Sequence, residues 1–160
     1  MNLFKPTYCI DTCSILERRR HYPPDVFAIW ERIDELIDRK RLFSSIEVYN
    51  ELKKGRLGDD AMTWAKDRKS MFLDIDNDVQ DNAIPIIQKY GTRLINHRTQ
   101  KSAGDPWVIA LAKSKRAIVI TEELPSRHPQ NVKIPDVCRD LKIEYVNLLG
   151  LIRREGWTFS

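Results

Sequence analysis

The sequence predicts an α/β protein built as three layers, α/β/α, around a central, mainly parallel sheet. Three observations predict it. Short apolar runs alternate with stretches of helical periodicity along the chain, as in sheets joined by crossover helices. The run Ala117-Ile118-Val119-Ile120 is apolar and rich in β-branched residues, the mark of a buried strand. Acids leave such runs at their C-terminal ends, Asp11 after Thr7–Ile10 and Glu122-Glu123 after Ile120 and Thr121. That is the edge at which open α/β sheets bind ligands.

Composition bounds the class. The 160 residues are expected to form one domain, 1–160, large enough to bury a core, and 42% hydrophobic with 31% charged residues is a globular balance. The longest apolar run, Trp107–Ala112, is too short to span a bilayer. The N-terminus carries no apolar signal region, so the expected compartment is the cytoplasm. Cys9, Cys13 and Cys138 have no metal-ligand spacing and are expected as reduced thiols. Lysine plus arginine exceed aspartate plus glutamate by 27 to 23, a net +4. If several acids share one pocket, the remaining surface is more basic and suits a polyanion.

In chain order, Thr7–Ile10 predicts a strand, and Thr12, Cys13 and Ser14 lead into a first helix. Asp11 between them reads as a helix cap or as a site acid. The basic cluster Arg18-Arg19-Arg20-His21 follows; a solvated face is the ordinary reading and a phosphate contact the sharper one. Pro23-Pro24-Asp25 is expected to open a long helix with Val26, Ile29, Trp30, Ile33, Leu36 and Ile37 as its apolar stripe. Arg41–Ser44 predicts a second strand. Ser45–Gly55 predicts a capped helix with a glycine stop, which puts Glu47 and Glu51 on one face. Asp59–Ser70 predicts another helix, with Met62, Trp64 and Ala65 inward.

The acid-rich segment Phe72–Asp78 fails as an EF-hand loop, because Val79 and Pro85 stand where glycine and glutamate are required. A phosphatase of the haloacid dehalogenase type would use Asp74 and Asp76, but Ile109 stands where its second downstream aspartate belongs. Asp76 or Asn77 instead caps a helix with Val79, Ala83, Ile86 and Ile87, and Pro85 predicts a kink or a later start. Gly91–Ser102 reads as a polar connection whose Arg93, His97, Arg98 and Lys101 are candidates for nucleic-acid phosphate. Asp105 before Pro106 reads as the N-cap of an apolar helix that the basic turn Lys113–Arg116 ends. Beyond the loop Leu124–Asn131 come a helix over Ile134–Leu141, a strand over Glu144–Val146 and a helix over Leu148–Arg154 stopped by Gly156. Trp157 and Phe159 are expected to dock as an apolar tail.

Asp11, Glu51, Asp105 and Glu122/Glu123 thus come from separate elements that all reach one sheet edge. With the strand ending in Asp11-Thr12, the helix Asn50–Gly55, Gly104-Asp105 with its alanine-rich continuation, and Thr121-x-Glu123, the chain resembles the PIN domain nucleases over Tyr8–Val146. It looks closest to a poorly characterised branch in which tryptophan follows the third acid as Gly-Asp-Pro-Trp. VapC-type toxins belong to the same family.

The resemblance implies a compact α/β/α fold in which Asp11, Glu51 and Asp105 bind metal and Glu123 takes the fourth place, usually aspartate. Glu122 and Glu47 are rivals to their neighbours. Thr121 is the implied polar support. Cys13 stands where serine or asparagine is usual, and Thr12 or Ser14 would substitute. Oxygen-only ligands select Mg²⁺ or Mn²⁺ over zinc. The implied activity is a metal-dependent endoribonuclease, the toxin of a toxin–antitoxin pair, with RNA, an antitoxin protein and a second copy of the chain as partners. The alternative is a catalytically degenerate PIN fold that binds RNA or another protein.

Overall fold

Strands β1 (Tyr8–Ile10), β2 (Leu42–Ser45), β3 (Phe72–Leu73), β4 (Ile118–Ile120) and β5 (Tyr145–Val146) form one sheet in the order β3-β2-β1-β4-β5, and every pairing is parallel. The structure, a computed structural model, describes residues 5–55, 59–94, 105–126 and 128–159. Parallel pairing requires a crossover between strands, and each crossover here carries helices. Helices α1 (Thr12–Leu16) and α2 (Ile29–Asp38) link β1 to β2; α3 (Ile46–Lys53) and α4 (Asp60–Asp67) link β2 to β3. Helices α5 (Asn77–Leu94) and α6 (Asp105–Lys115) lead back to β4, α7 (Ile134–Asp140) leads to β5, and α8 (Leu148–Glu155) follows it.

The strand order reverses between β1 and β4. Right-handed crossovers that run in opposite directions put their helices on opposite faces, so the sheet is flanked on both sides. The result is the three-layer α/β/α arrangement.

Helix α6 explains why its sequence lacks a polar stripe. It packs on β1, β2 and β4 and is covered by α5, so Val108, Ile109, Ala110, Leu111 and Ala112 are all buried. The Cys9 thiol of β1 donates to the Val108 carbonyl at 3.6 Å, fixing the start of α6 over the middle of the sheet. At the opposite edge, Arg41 and the Tyr8 hydroxyl both donate to Glu155, which ties the end of α8 to the foot of the sheet.

Several boundaries differ from the sequence expectation. After Pro23-Pro24 the chain turns, with the N–H groups of Val26 and Phe27 donating to the Pro23 carbonyl, and α2 begins only at Ile29. Val26 therefore lies outside the apolar stripe and is exposed. Pro85 neither divides α5 nor delays its start. It sits on the exposed face with Asp81, the residue one turn back, so the carbonyl that loses its N–H partner is on the wet side. Asp76 caps α5 through the Val79 N–H at 2.8 Å, but Ile87 is exposed. The helix runs on through Gly91–Leu94, a stretch that reads in the sequence as polar connection. Trp157 packs against the core, whereas Phe159 is exposed and does not dock. Among the described residues no helix is long and apolar enough to cross a membrane.

Ile109 is wholly enclosed between sheet and α5. Ile109→Ala is expected to lower the unfolding free energy by about 2–5 kcal/mol, whereas Ile87→Gln on the open face of α5 should change it by no more than ~0.5 kcal/mol. Urea denaturation of both variants measures the contrast.

Candidate active site

The strand order reverses between β1 and β4, and open α/β sheets bind ligands beyond the carboxyl ends of the strands at such a point. Asp11 leaves β1 there and is 2% exposed. Its backbone N–H still donates to the Ile120 carbonyl of β4, so the position is fixed by the sheet itself. The carboxylate caps α1 by accepting the Ser14 N–H at 3.0 Å. It also accepts the Thr121 hydroxyl at 2.7 Å and the Cys13 thiol at 2.9 and 3.1 Å to its two oxygens. The cap reading and the site reading of Asp11 therefore coexist.

Burial pushes the Asp11 carboxyl up to about 6, against the lowering effect of its donors, and the nearby charge of Glu123 pushes in the same direction. Thr121, itself buried, accepts the Glu123 N–H at 3.1 Å while donating to Asp11, so one hydroxyl links the two acids. Cys13 does in this chain what a serine hydroxyl would do. Burial, and then the Asp11 charge, hold its thiol well above the ordinary range, so it stays a neutral donor. Ser14 donates to the Ile120 carbonyl at 3.3 Å and helps lock α1 onto β4.

The two glutamates after β4 part company. Glu123 turns towards α7 and accepts the Ile134 N–H at 2.9 Å; its charge is felt by both Asp11 and Cys138. Glu122 turns to α8, accepting the Leu148 N–H at 2.7 Å, and burial followed by the Glu17 charge raises its carboxyl. Of the pair, Glu123 stands with Asp11.

Glu51, half-buried on α3, accepts the Thr12 hydroxyl at 2.6 Å, which places it beside the first turn of α1. Glu47, its rival, receives the Asn50 amide at 3.4 Å. Asp105 opens α6 as its first residue instead of preceding it, and is 7% exposed. Because α6 runs antiparallel to β4, its first turn stands at the carboxyl edge, and the Cys9–Val108 bond sets that turn above β1. Thr121 thus links Asp11 to Glu123, while Glu51 and Asp105 lie on helices, α3 and α6, that begin at the same edge. Among the described residues no three histidine, cysteine, aspartate or glutamate side chains form a group that could hold a metal ion as they stand.

The donor chemistry nevertheless fits a hard divalent cation. The acids are carboxylates alone, and Asp11 is raised by burial and like charge, a cost that a bound cation would reverse.

The expected phosphate contacts fare differently. Arg93 is turned to the carbonyls of Lys89 and Pro129, at 2.9 and 3.2 Å. His97, Arg98 and Lys101 lie outside the described residues. Arg18 and Arg19 pair with Asp60 and Asp59 at the start of α4. One buried acid went unremarked in the sequence: Glu17, 5% exposed, stands 2.6 Å from His21 Nδ1. It sits where a solvated helix end was expected, so no pattern marked it.

A family described as "Domain of unknown function (DUF4411)" matches residues 8–159. The chain belongs to that family. No curated protein matches this DUF4411 chain. Among solved structures, VapBC-1 from nontypeable Haemophilus influenzae shares 20% identity at a TM-score of 0.56, over 89% of this chain and 98% of that one. FitAcB from Neisseria gonorrhoeae shares 16% at 0.52, over 89% and 99%. DNA-bound VapBC from Salmonella typhimurium shares 15% at 0.52, over 90% and 99%. At these identities the likeness is one of fold, and the fold is PIN-like.

The raised Asp11 carboxyl has a stability consequence. Folding favours its protonated form, so its contribution is fully present below the ordinary value of 3.8 and is lost as pH rises through about 6. In metal-free buffer, Asp11→Asn, which keeps an acceptor for the Ser14 N–H, should gain stability over wild type as pH rises from 4 to 8, by up to ~3 kcal/mol. Chemical denaturation across that range, with chelator present, measures the difference.

Proposed function

We propose that this protein is a Mg²⁺- or Mn²⁺-dependent endoribonuclease, one PIN-like unit that acts as the toxin of a toxin–antitoxin pair. The observation that carries the reading is Asp11. It is a buried carboxylate at the switch point of a parallel sheet, held by the threonine that follows the neighbouring strand and near the charge of a second acid. Carboxyls perturbed by burial together with a nearby charge cluster at functional sites. The fold shared with VapBC-1, FitAcB and a DNA-bound VapBC supports the toxin–antitoxin assignment and a protein partner.

Asp11, Glu51, Asp105 and Glu123 would hold the ions. When bound, divalent cations supply a water of lowered pKa and charge neutralisation at the leaving oxygen. The chain's own residues do the rest. Thr121 and the Cys13 thiol fix the Asp11 carboxylate by donating to it, Thr12 fixes Glu51, and the Ile134 N–H fixes Glu123. These contacts set the acids before substrate arrives, so little reorganisation remains for the reaction itself. The net basic character of the chain favours approach of a polyanion.

Incubation of single-stranded RNA with Mn²⁺ is expected to give cleavage by wild type and none by Asp11→Asn or by wild type in EDTA. Equal products in all lanes would refute the nuclease reading. Thr121→Ala removes one of the donors that orient Asp11 and the acceptor of the Glu123 N–H, and is expected to cost about 10–100-fold in rate or metal affinity. Initial rates across a Mn²⁺ titration measure both.

A further inference from the structure

The segment between α1 and α2 carries side chains that the acid site does not use. Of the run Arg18-Arg19-Arg20, the first two guanidinium groups are held by Asp60 and Asp59, and Arg18 also lies 4.9 Å over Trp30. Arg20 is exposed and, among the described residues, forms no ion pair. Two residues on, Tyr22 packs partly against the core, and its ring meets that of Phe27 at 5.5 Å and 57°. Phe27 is 42% exposed. An exposed phenylalanine in a loop is often mobile, but this one is held. Its N–H donates to the Pro23 carbonyl, two prolines stiffen the turn, and the Trp30 indole donates to the Tyr22 carbonyl at 2.6 Å. Helix α2 ends at the foot of the sheet, where the Arg41 N–H donates to the Leu36 carbonyl and the Tyr8 N–H to the Arg41 carbonyl, so its 10 residues carry the chain down from the carboxyl edge. Tyr22 and Phe27, just before that helix, therefore stand towards the edge that bears the acids.

A fixed aromatic face beside a free guanidinium is what an unpaired nucleotide strand requires. Every base has a face that stacks, and its phosphate seeks a cation. We propose that Arg20, Tyr22 and Phe27 form the substrate-positioning rim of the acid site, with one unpaired RNA base stacked on Phe27 and a backbone phosphate on Arg20. The inference rests on the ribonuclease reading and adds to it the residues that position the strand. Tyr22 is the support that sets the angle of the Phe27 ring.

The test uses the full chain carrying Asp11→Asn, so that RNA is bound without being cut, and reads fluorescence anisotropy of a labelled single-stranded RNA oligonucleotide. Adding Phe27→Ala is expected to weaken binding about fivefold to hundredfold, the range of one lost base stack. Phe27→Trp should restore binding, while Phe27→Leu, which keeps apolar area without a stacking face, should not. Arg20→Gln should lower the slope of log affinity against log salt by ~0.7. Phe27 is exposed, so the thermal midpoint should stay that of the parent. If the parent binds and wild type cuts RNA, but Phe27→Ala binds within twofold of the parent, the rim proposal is overturned and that face is left to a protein partner, with the nuclease reading intact. If wild type neither binds nor cuts RNA, both readings fall together.

Discussion

The hydrogen bond from the Thr121 hydroxyl to the Asp11 carboxylate joins the ends of the two strands between which the sheet reverses direction. An ionised carboxylate is costly to bury unless it is paired or hydrogen-bonded. Here the Ser14 N–H, the Cys13 thiol and the Thr121 hydroxyl share that task, and each depends on a different part of the fold. The first needs α1 to begin immediately after β1. The second needs the first turn of α1 to fold back over the strand end. The third needs β4 to lie beside β1 in the register that sets Ile10 opposite Ile120. A slip of one residue in that register would turn Thr121 to the other face and leave Asp11 without its closest donor, at 2.7 Å.

The same edge shows how adjacent acids come to differ. Glu122 and Glu123 leave β4 consecutively, and successive side chains of an extended chain point to opposite sides. Each finds the N-terminus of a different helix, where unpaired N–H groups favour negative charge. Glu122 takes α8 and Glu123 takes α7. Anchored this way, the Glu123 charge stays near Asp11 while that of Glu122 is directed to Glu17 and Tyr22. The longer glutamate side chain at the fourth position is thus a held group, its reach fixed by an α7 backbone N–H.

The surroundings of the site also divide by role. Arg18 and Arg19 are committed to α4, where their pairing with Asp59 and Asp60 and the stacking of Arg18 on Trp30 and Trp64 pin the first crossover to the second. Exposed ion pairs contribute little stability individually, so their effect here is one of placement. The next residue, Arg20, is released to solvent by the turn that follows.

The fold class was legible in the sequence because strands and helices bury characteristic faces. The apolar run before Thr121 and the stripe of Ile29, Trp30, Ile33 and Leu36 could hardly fold otherwise. Asp11, Glu51, Asp105 and Glu123 could be named as candidates from the sequence, since Asp11, Asp105 and Glu123 adjoin element ends at the carboxyl edge and Glu51 lies on the helix that follows β2. Three things were not legible. Glu122 and Glu123 are chemically identical, and only the positions of α7 and α8 separate them. Cys13 looked like a departure from a serine, and only its 2.9 Å contact with Asp11 reveals a donor. Arg18, Arg19 and Arg20 formed one undivided charge run until Asp59 and Asp60, some forty residues away, claimed two of them. Local sequence determines which faces are buried and where elements begin, because backbone geometry and hydrophobicity act within a turn or a strand. Which side chain of two like neighbours meets which partner is decided by contacts between distant segments, and those exist only once the sheet has closed.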